Sequence, residues 1–209
     1  MSVGSEQRKQ CGRPVGEVGI EVGKRMNEHN EPLREWGLDK LEINPELNIL
    51  DIGRGGGHAV KRLHELYPEA KISGLDHSAD MINLTKEVNA EAVENGAVDL
   101  IEGTVSELPY PDEYFEFALA MKTVYFWPEM AADVAEVHRV LLPGGVLMIL
   151  NEEYRTIKFA EKNETTEKES GGTIYSAGEL EKFVMDAGFN SCEMRLDAAK
   201  NWLCLIAVK

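Results

Sequence analysis

Between residues 47 and 150, short apolar runs alternate with segments of helical spacing, and this alternation restricts the fold more than any other feature of the chain. The runs Leu47–Ile52, Lys71–Asp76, Val98–Glu102, Tyr114–Met121 and Val146–Leu150 read as buried strands. Between them, His58–Tyr67 puts Ala59, Val60, Leu63 and Leu66 on one side, and Ala79–Asn95 does the same with Met81, Ile82, Leu84 and Val88. Met130–Leu141 repeats the pattern with Val134, Val137, Val140 and Leu141, and Pro143-Gly144-Gly145 stops it. Strands separated by helices need crossover connections, which make a parallel sheet with helices on both faces. The expected fold class is therefore α/β and doubly wound.

The flanking regions are less regular. Residues 1–46 are mixed and polar, with helical spacing near Met26, Leu33, Trp36 and Leu38, so one or two short helices are expected to precede the main domain and pack on it. Residues 47–209 form that domain, with a polar insert near 155–173 that reads as a solvated loop or as a mobile lid beside the site. Ser176-Ala177-Gly178-Glu179 is a capping box that opens a helix, whose apolar face is Leu180, Phe183, Val184 and Ala187. Two more strands, around Ser191–Leu196 and Trp202–Val208, flank a short polar turn and predict an antiparallel C-terminal hairpin, for seven strands in all.

Charge narrows the partners. Lys and Arg total 22 against 37 Asp and Glu, a formal net charge of −15 over 209 residues. Such a chain has no general attraction for nucleic-acid phosphates or for an anionic membrane. Cys11, Cys192 and Cys204 lack the spacing of a zinc or redox motif, and no His/Cys/acid group has metal-ligand spacing. No apolar run reaches the roughly 18 residues of a membrane span, and the first 30 residues carry no signal-peptide core. The expected setting is the cytoplasm.

Asp51-Ile52-Gly53-Arg54-Gly55-Gly56-Gly57 joins the first strand to the first helix, where a doubly wound sheet binds nucleotide-like ligands. Two common loops do not fit it. A dinucleotide loop needs a third glycine where His58 stands, and a phosphate loop needs a terminal Gly-Lys-Ser/Thr. Asp51, at the strand tip, would repel a pyrophosphate and attract an ammonium group. Asp76, at the second tip, suits the hydroxyls of a ribose. The competing role for Asp76 is a helix N-cap, but Ser78 is better placed for that.

Taken with Gly74-Leu75-Asp76-His77-Ser78, Gly103-Thr104-Val105-Ser106-Glu107-Leu108-Pro109-Tyr110, Tyr114-Phe115-Glu116 and Glu136-Val137-His138-Arg139-Val140-Leu141-Leu142-Pro143-Gly144-Gly145, this loop resembles the class I S-adenosylmethionine-dependent methyltransferases of small-molecule type. The resemblance covers about residues 47 to 150, more softly Ser176–Phe189. It implies a Rossmann-like sheet, S-adenosyl-L-methionine as cofactor, and methyl transfer to a small-molecule acceptor. It also implies that Gly53, Gly55, Gly56 and Gly57 pack against the methionine part of the donor, with Asp51 near its ammonium. Asp76 would hold the ribose, His77 and Met81 would flank the adenine, Thr104 and Val105 would read its edge, and Met121 would line the sulfonium pocket.

The chain departs from the family pattern at four places. Arg54 replaces a small residue and is expected to turn away or meet an acidic substrate. Thr104 replaces a common Asp, Glu116 stands for another, and Gly56 makes a triple glycine that would loosen the loop. Transfer from a sulfonium mostly needs positioning and exclusion of water, so no universal catalytic residue is expected. The acceptor-side candidates are Tyr125 and Trp127 after the fourth strand and Glu152, Glu153 and Tyr154 after the fifth, with either Glu a possible base. Met26-Asn27-Glu28-His29-Asn30 is a candidate lid, and His64 and His138 read as structural. Two rival readings are a non-catalytic S-adenosylmethionine-binding or regulatory protein and an NAD(P)-dependent oxidoreductase.

Overall fold

In a computed structural model, which describes residues 10–41, 48–53 and 55–209, the strands join into one seven-stranded sheet. Two helices lead, α1 (Gly16–His29) and α2 (Glu31–Leu38). Then follow β1 (Asn48–Ile52), α3 (His58–Leu66), β2 (Lys71–Asp76), α4 (Ala79–Val88), α5 (Ala90–Glu94), β3 (Val98–Glu102) and β4 (Phe115–Met121). The chain continues through α6 (Met130–Val140), β5 (Leu141–Asn151), α7 (Ala160–Ser170), α8 (Ala177–Asp186), β6 (Ser191–Asp197) and β7 (Trp202–Val208). The sheet order is β3-β2-β1-β4-β5-β7-β6. Strands β1 to β5 run parallel, and β7 lies antiparallel between β5 and β6. The expected fold class is the observed one. Leu47 and Arg54 lie outside the described residues, as do residues 1–9.

Alternate residues of the central strands feed two apolar layers. Leu50, Ala118, Ala120, Leu147 and Ile149 pack with Val134, Val137, Leu180 and Val184 of α6 and α8. Ile49, Phe117, Leu119, Met148 and Leu150 pack with Ala59, Val60 and Leu63 of α3 and with Leu38 of α2. Among the described residues, no helix is long and apolar enough to cross a membrane.

The elements differ from the expected ones in three places. The helix expected over Ala79–Asn95 breaks at Asn89, whose buried amide donates both to Thr85 O (3.0 Å) and to Gly57 O (3.1 Å). Helix α6 ends at Val140, ahead of Pro143-Gly144-Gly145, because β5 already begins at Leu141 and carries that turn as an irregularity, pairing Phe115 with Leu141 and Phe117 with Val146. The polar insert, expected as a loop, holds α7. Polar all round, this helix rests on local contacts: Lys168 Nζ donates to Glu164 (2.6 Å), Thr165 Oγ1 to Glu161 O (2.9 Å), and Gly171 in the left-handed region ends it.

Candidate functional site

The glycine loop is pinned from both sides. Gly53 N–H donates to Leu75 O (2.8 Å), tying the end of β1 to β2. With φ of +70° and Thr123 Cγ2 only 2.4 Å from where a Cβ would sit, position 53 has neither the conformation nor the room for a side chain. From α4, Thr85 Oγ1 donates to Gly55 O (3.2 Å). From α1, Asn27 Nδ2 donates to Gly56 O (2.8 Å), and Asn27 Oδ1 accepts from His58 N–H (3.3 Å). A Cβ on Gly56 would lie 2.5 Å from that amide, so the third glycine packs the loop against α1, where a looser loop was expected.

Asp76 organises the other side. Its Oδ2 accepts from Gly55 N–H (3.1 Å) and its Oδ1 from Ser78 N–H (2.9 Å). Ser78 Oγ caps α4 by accepting from Met81 N–H (3.4 Å), so the cap role falls to Ser78, as its position suggested. A carboxylate has about four acceptor sites, so two backbone donors leave Asp76 room for two more. Asp51 stands at the adjacent tip, opposite Gly74 of β2 and Leu119 of β4, and is 1% exposed.

These groups surround a cavity of about 1410 Å³. Pockets for single drug-sized ligands measure roughly 300–1,000 Å³, so the space suits a cofactor and an acceptor together. Asp51, Gly53, Gly55, Gly56, Asp76, His77, Thr104, Val105 and Met121 all stand on its wall, as do Tyr125, Trp127, Glu152 and Glu153. Three candidates do not. Met81 is fully buried and packs under Gly23, because α1 covers the first turn of α4. Gly57 caps α3 with φ of +88° and gives its carbonyl to Asn89. Tyr154 belongs to the apolar core.

The acceptor-side candidates prove to be heavily engaged. Tyr125 OH donates to Glu153 O (2.8 Å) and accepts from Glu153 N–H (3.0 Å), and burial pushes its ionisation well above the ordinary tyrosine value. Its hydroxyl therefore stays protonated and holds the rim together. Glu153 pairs with Lys162 of α7 (2.6 Å), which brings the polar helix to the cavity wall. Glu152 receives Lys122 Nζ and lies 2.9 Å from His29 Nε2 at the end of α1, while Lys122 also donates to Asn30 (2.9 Å). Lys122 has φ of +60°, a strained conformation for a lysine. Burial alone would raise the Glu152 carboxyl, but the charge and hydrogen bond of Lys122, with help from His29, pull it down to about 2. So acidic a carboxyl is a poor proton acceptor near neutral pH.

That network predicts an acid limb. Glu152 contributes stability that is full above its ordinary value of 4.5 and is lost as pH falls toward 2. Thermal melts of the wild type should therefore lose more stability over this window than melts of Glu152→Gln. Parallel acid limbs would show that the pair contributes nothing.

Sequence reasoning missed Lys122, Arg34 and the strap Cys11–Pro14, all on the wall. A lysine directly after a strand tip was the one available signal. The strap crosses from Ser78, whose Oγ donates to Pro14 O, to Phe126, which leaves no room for a Cβ on Gly12. His58 is held below its ordinary value by burial, then by the charges of Arg34 and Lys61.

Comparison with known proteins bears on the fold and the family. Residues 50–149 match the sequence profile of a family described as a methyltransferase domain. The uncharacterized methyltransferase YdaC of Bacillus subtilis is 25% identical over 124 residues, which is 59% of this chain and 66% of that protein. A demethylmenaquinone methyltransferase of Listeria monocytogenes is 30% identical over 119 residues, which is 56% of this chain and 50% of its own length. The chain thus spans about half to two thirds of the curated relatives it matches. Phosphoethanolamine N-methyltransferase 2 of Haemonchus contortus, solved with S-adenosyl-L-methionine, superposes with a TM-score of 0.82 over 100% of this chain and 60% of its own. At 13% identity that likeness is one of fold.

Proposed function

We propose that this chain, whose residues 50–149 match a methyltransferase domain, is a class I S-adenosylmethionine-dependent methyltransferase that transfers the methyl group of S-adenosyl-L-methionine to a small-molecule acceptor by in-line displacement. The observation that carries the reading is Asp76, a buried carboxylate with spare acceptor sites on a cavity wall beside a glycine loop that excludes side chains. The donor supplies an electrophilic methyl group on a sulfonium. Asp51 would take its ammonium and Asp76 its ribose hydroxyls. His77, Thr104 and Val105 would meet the adenine, and Met121 would line the sulfur side. Met81 is fully buried under α1 and is not proposed to touch the ligand.

The remaining residues position the acceptor and exclude water. Helices α1 and α2 with the strap form the cap we assign to residues 1–46, and α7 closes the acceptor side through Lys162. Tyr125, Phe126 and Trp127 give that side an aromatic wall. With Glu152 engaged by Lys122 and His29, the reaction we propose draws no proton through it. A small acceptor is supported by the relative named a demethylmenaquinone methyltransferase.

Calorimetry with S-adenosylmethionine and with NADH separates this reading from an oxidoreductase; binding of the former alone is expected. Turnover with radiolabelled donor and a metabolite extract separates an enzyme from a non-catalytic binder. Label should pass to a small product, and donor binding with no transfer to any fraction would favour the regulatory reading.

A further inference from the structure

We infer that the acceptor is an apolar carboxylic acid, methylated on a carboxylate oxygen to give its methyl ester, an inference that rests on the reading that this cavity takes the sulfonium donor. The acceptor side has an apolar lining of Phe126, Trp127, Pro128 and Ile174. The groups there that would take a proton are committed elsewhere. Tyr125 OH both donates to and accepts from the backbone of Glu153. Glu152 receives Lys122 Nζ and lies 2.9 Å from His29 Nε2, and Glu153 pairs with Lys162 at 2.6 Å. Of the imidazoles on the wall, His58 opens α3 beside the glycine loop and His77 follows Asp76, so both stand on the donor side. His29 is 62% exposed, with Nε2 turned to Glu152. A hydroxyl or an alkylammonium must shed a proton before it attacks, and no buried base among the described residues of this side is free to take it. A carboxylate is already ionised at neutral pH and needs none.

Charge points the same way. Among the described residues the cavity wall carries five Lys or Arg and five Asp or Glu, neutral with histidine uncharged, in a chain of net charge −15. The donor brings one positive charge in excess, on its sulfonium. A carboxylate cancels that charge where burial strengthens the attraction. Methylating an amine would instead leave a cation beside two carboxylates already neutralised by lysine. Lys122 follows Met121 on the sulfur side with a strained φ of +60°. It spends two of its three N–H donors on Glu152 and Asn30, and the third is left to hold the carboxylate oxygen that does not react. In the step itself the other oxygen bonds to the methyl carbon as the carbon–sulfur bond breaks and its electron pair passes to sulfur. The products are a neutral ester and S-adenosylhomocysteine, and no proton is taken up or released.

The test incubates the full chain with methyl-tritiated S-adenosylmethionine and a metabolite extract separated by ion exchange into acidic, neutral and basic fractions. Cold alkali releases the label of a methyl ester as volatile methanol and leaves ethers, methylamines and carbon-bound methyl groups intact. Label is expected from the acidic fraction, in an alkali-labile product. Alkali-stable label, or transfer only to the neutral or basic fraction, overturns the proposal and leaves the methyltransferase reading standing. Transfer to no fraction overturns it as well, and calorimetry with S-adenosylhomocysteine then shows whether the donor reading falls with it. On the acid recovered from the labelled ester, Lys122→Gln should raise KM at least about tenfold, and Lys122→Arg should recover part of the loss. An unchanged KM removes Lys122 from the acceptor. Should these variants fail to fold, the alkali readout on the wild type decides the substrate class alone.

Discussion

Replacing Asp76 with alanine is expected to weaken binding of S-adenosylmethionine by about 1.5–3 kcal/mol, the range for hydrogen bonds to a charged group. Two effects act together. The ribose hydroxyls would lose their acceptor, and the N–H groups of Gly55 and Ser78 would lose theirs. The second effect loosens the loop that faces the methionine part. Asp76→Asn separates them, since its one carbonyl oxygen keeps an acceptor for the backbone and forfeits the charge. Calorimetry should order the affinities wild type, Asn, Ala. Unchanged affinity in the alanine variant would remove Asp76 from the site.

Gly53→Ala should destabilise the fold by about 2–5 kcal/mol. A left-handed backbone costs a residue with a Cβ roughly 1–2 kcal/mol, and overpacking adds about 1–3 kcal/mol. The clash is with the methyl of Thr123, 2.4 Å from the new Cβ. Adding Thr123→Ser removes that methyl and should restore part of the loss, leaving the backbone cost. Denaturant unfolding of the single and double variants measures both. A Gly53→Ala variant as stable as the wild type would show that the loop does not hold this conformation.

The two predictions draw on different levels of information. Asp76 was legible from sequence because a carboxylate at a strand tip next to a glycine cluster has few other uses, and Ser78 took its one competing role. Gly53 was legible as a turn residue, but its packing partner, Thr123, lies on another strand's exit. Gly56 shows the same limit more sharply. As the middle of three consecutive glycines it suggested looseness, whereas Asn27 of α1 fills the space beside it.

Met81 illustrates a different failure. Its place after Asp76 pointed to the adenine, but α1 buries it completely. Helix α7 escaped detection because it is polar throughout, with no apolar stripe to reveal a period, and is held by ion pairs such as Lys168–Glu164 and Lys162–Glu153. Glu152 read as a candidate base, and only Lys122 and His29, from two other elements, give it its low ionisation.

The order of apolar runs, helical periods and turn residues determined the class of sheet, the place of its ligand loop and the acids at its tips, because those properties follow from short-range pattern and from chain connectivity. Which groups are spent on each other was decided by the tertiary structure alone. Lys122 engages Glu152, Tyr125 ties down the backbone of Glu153, and Arg34 is buried with a nitrogen to spare. Hydrogen bonding and burial depend on neighbours brought together across long stretches of chain, and no local spacing encodes them.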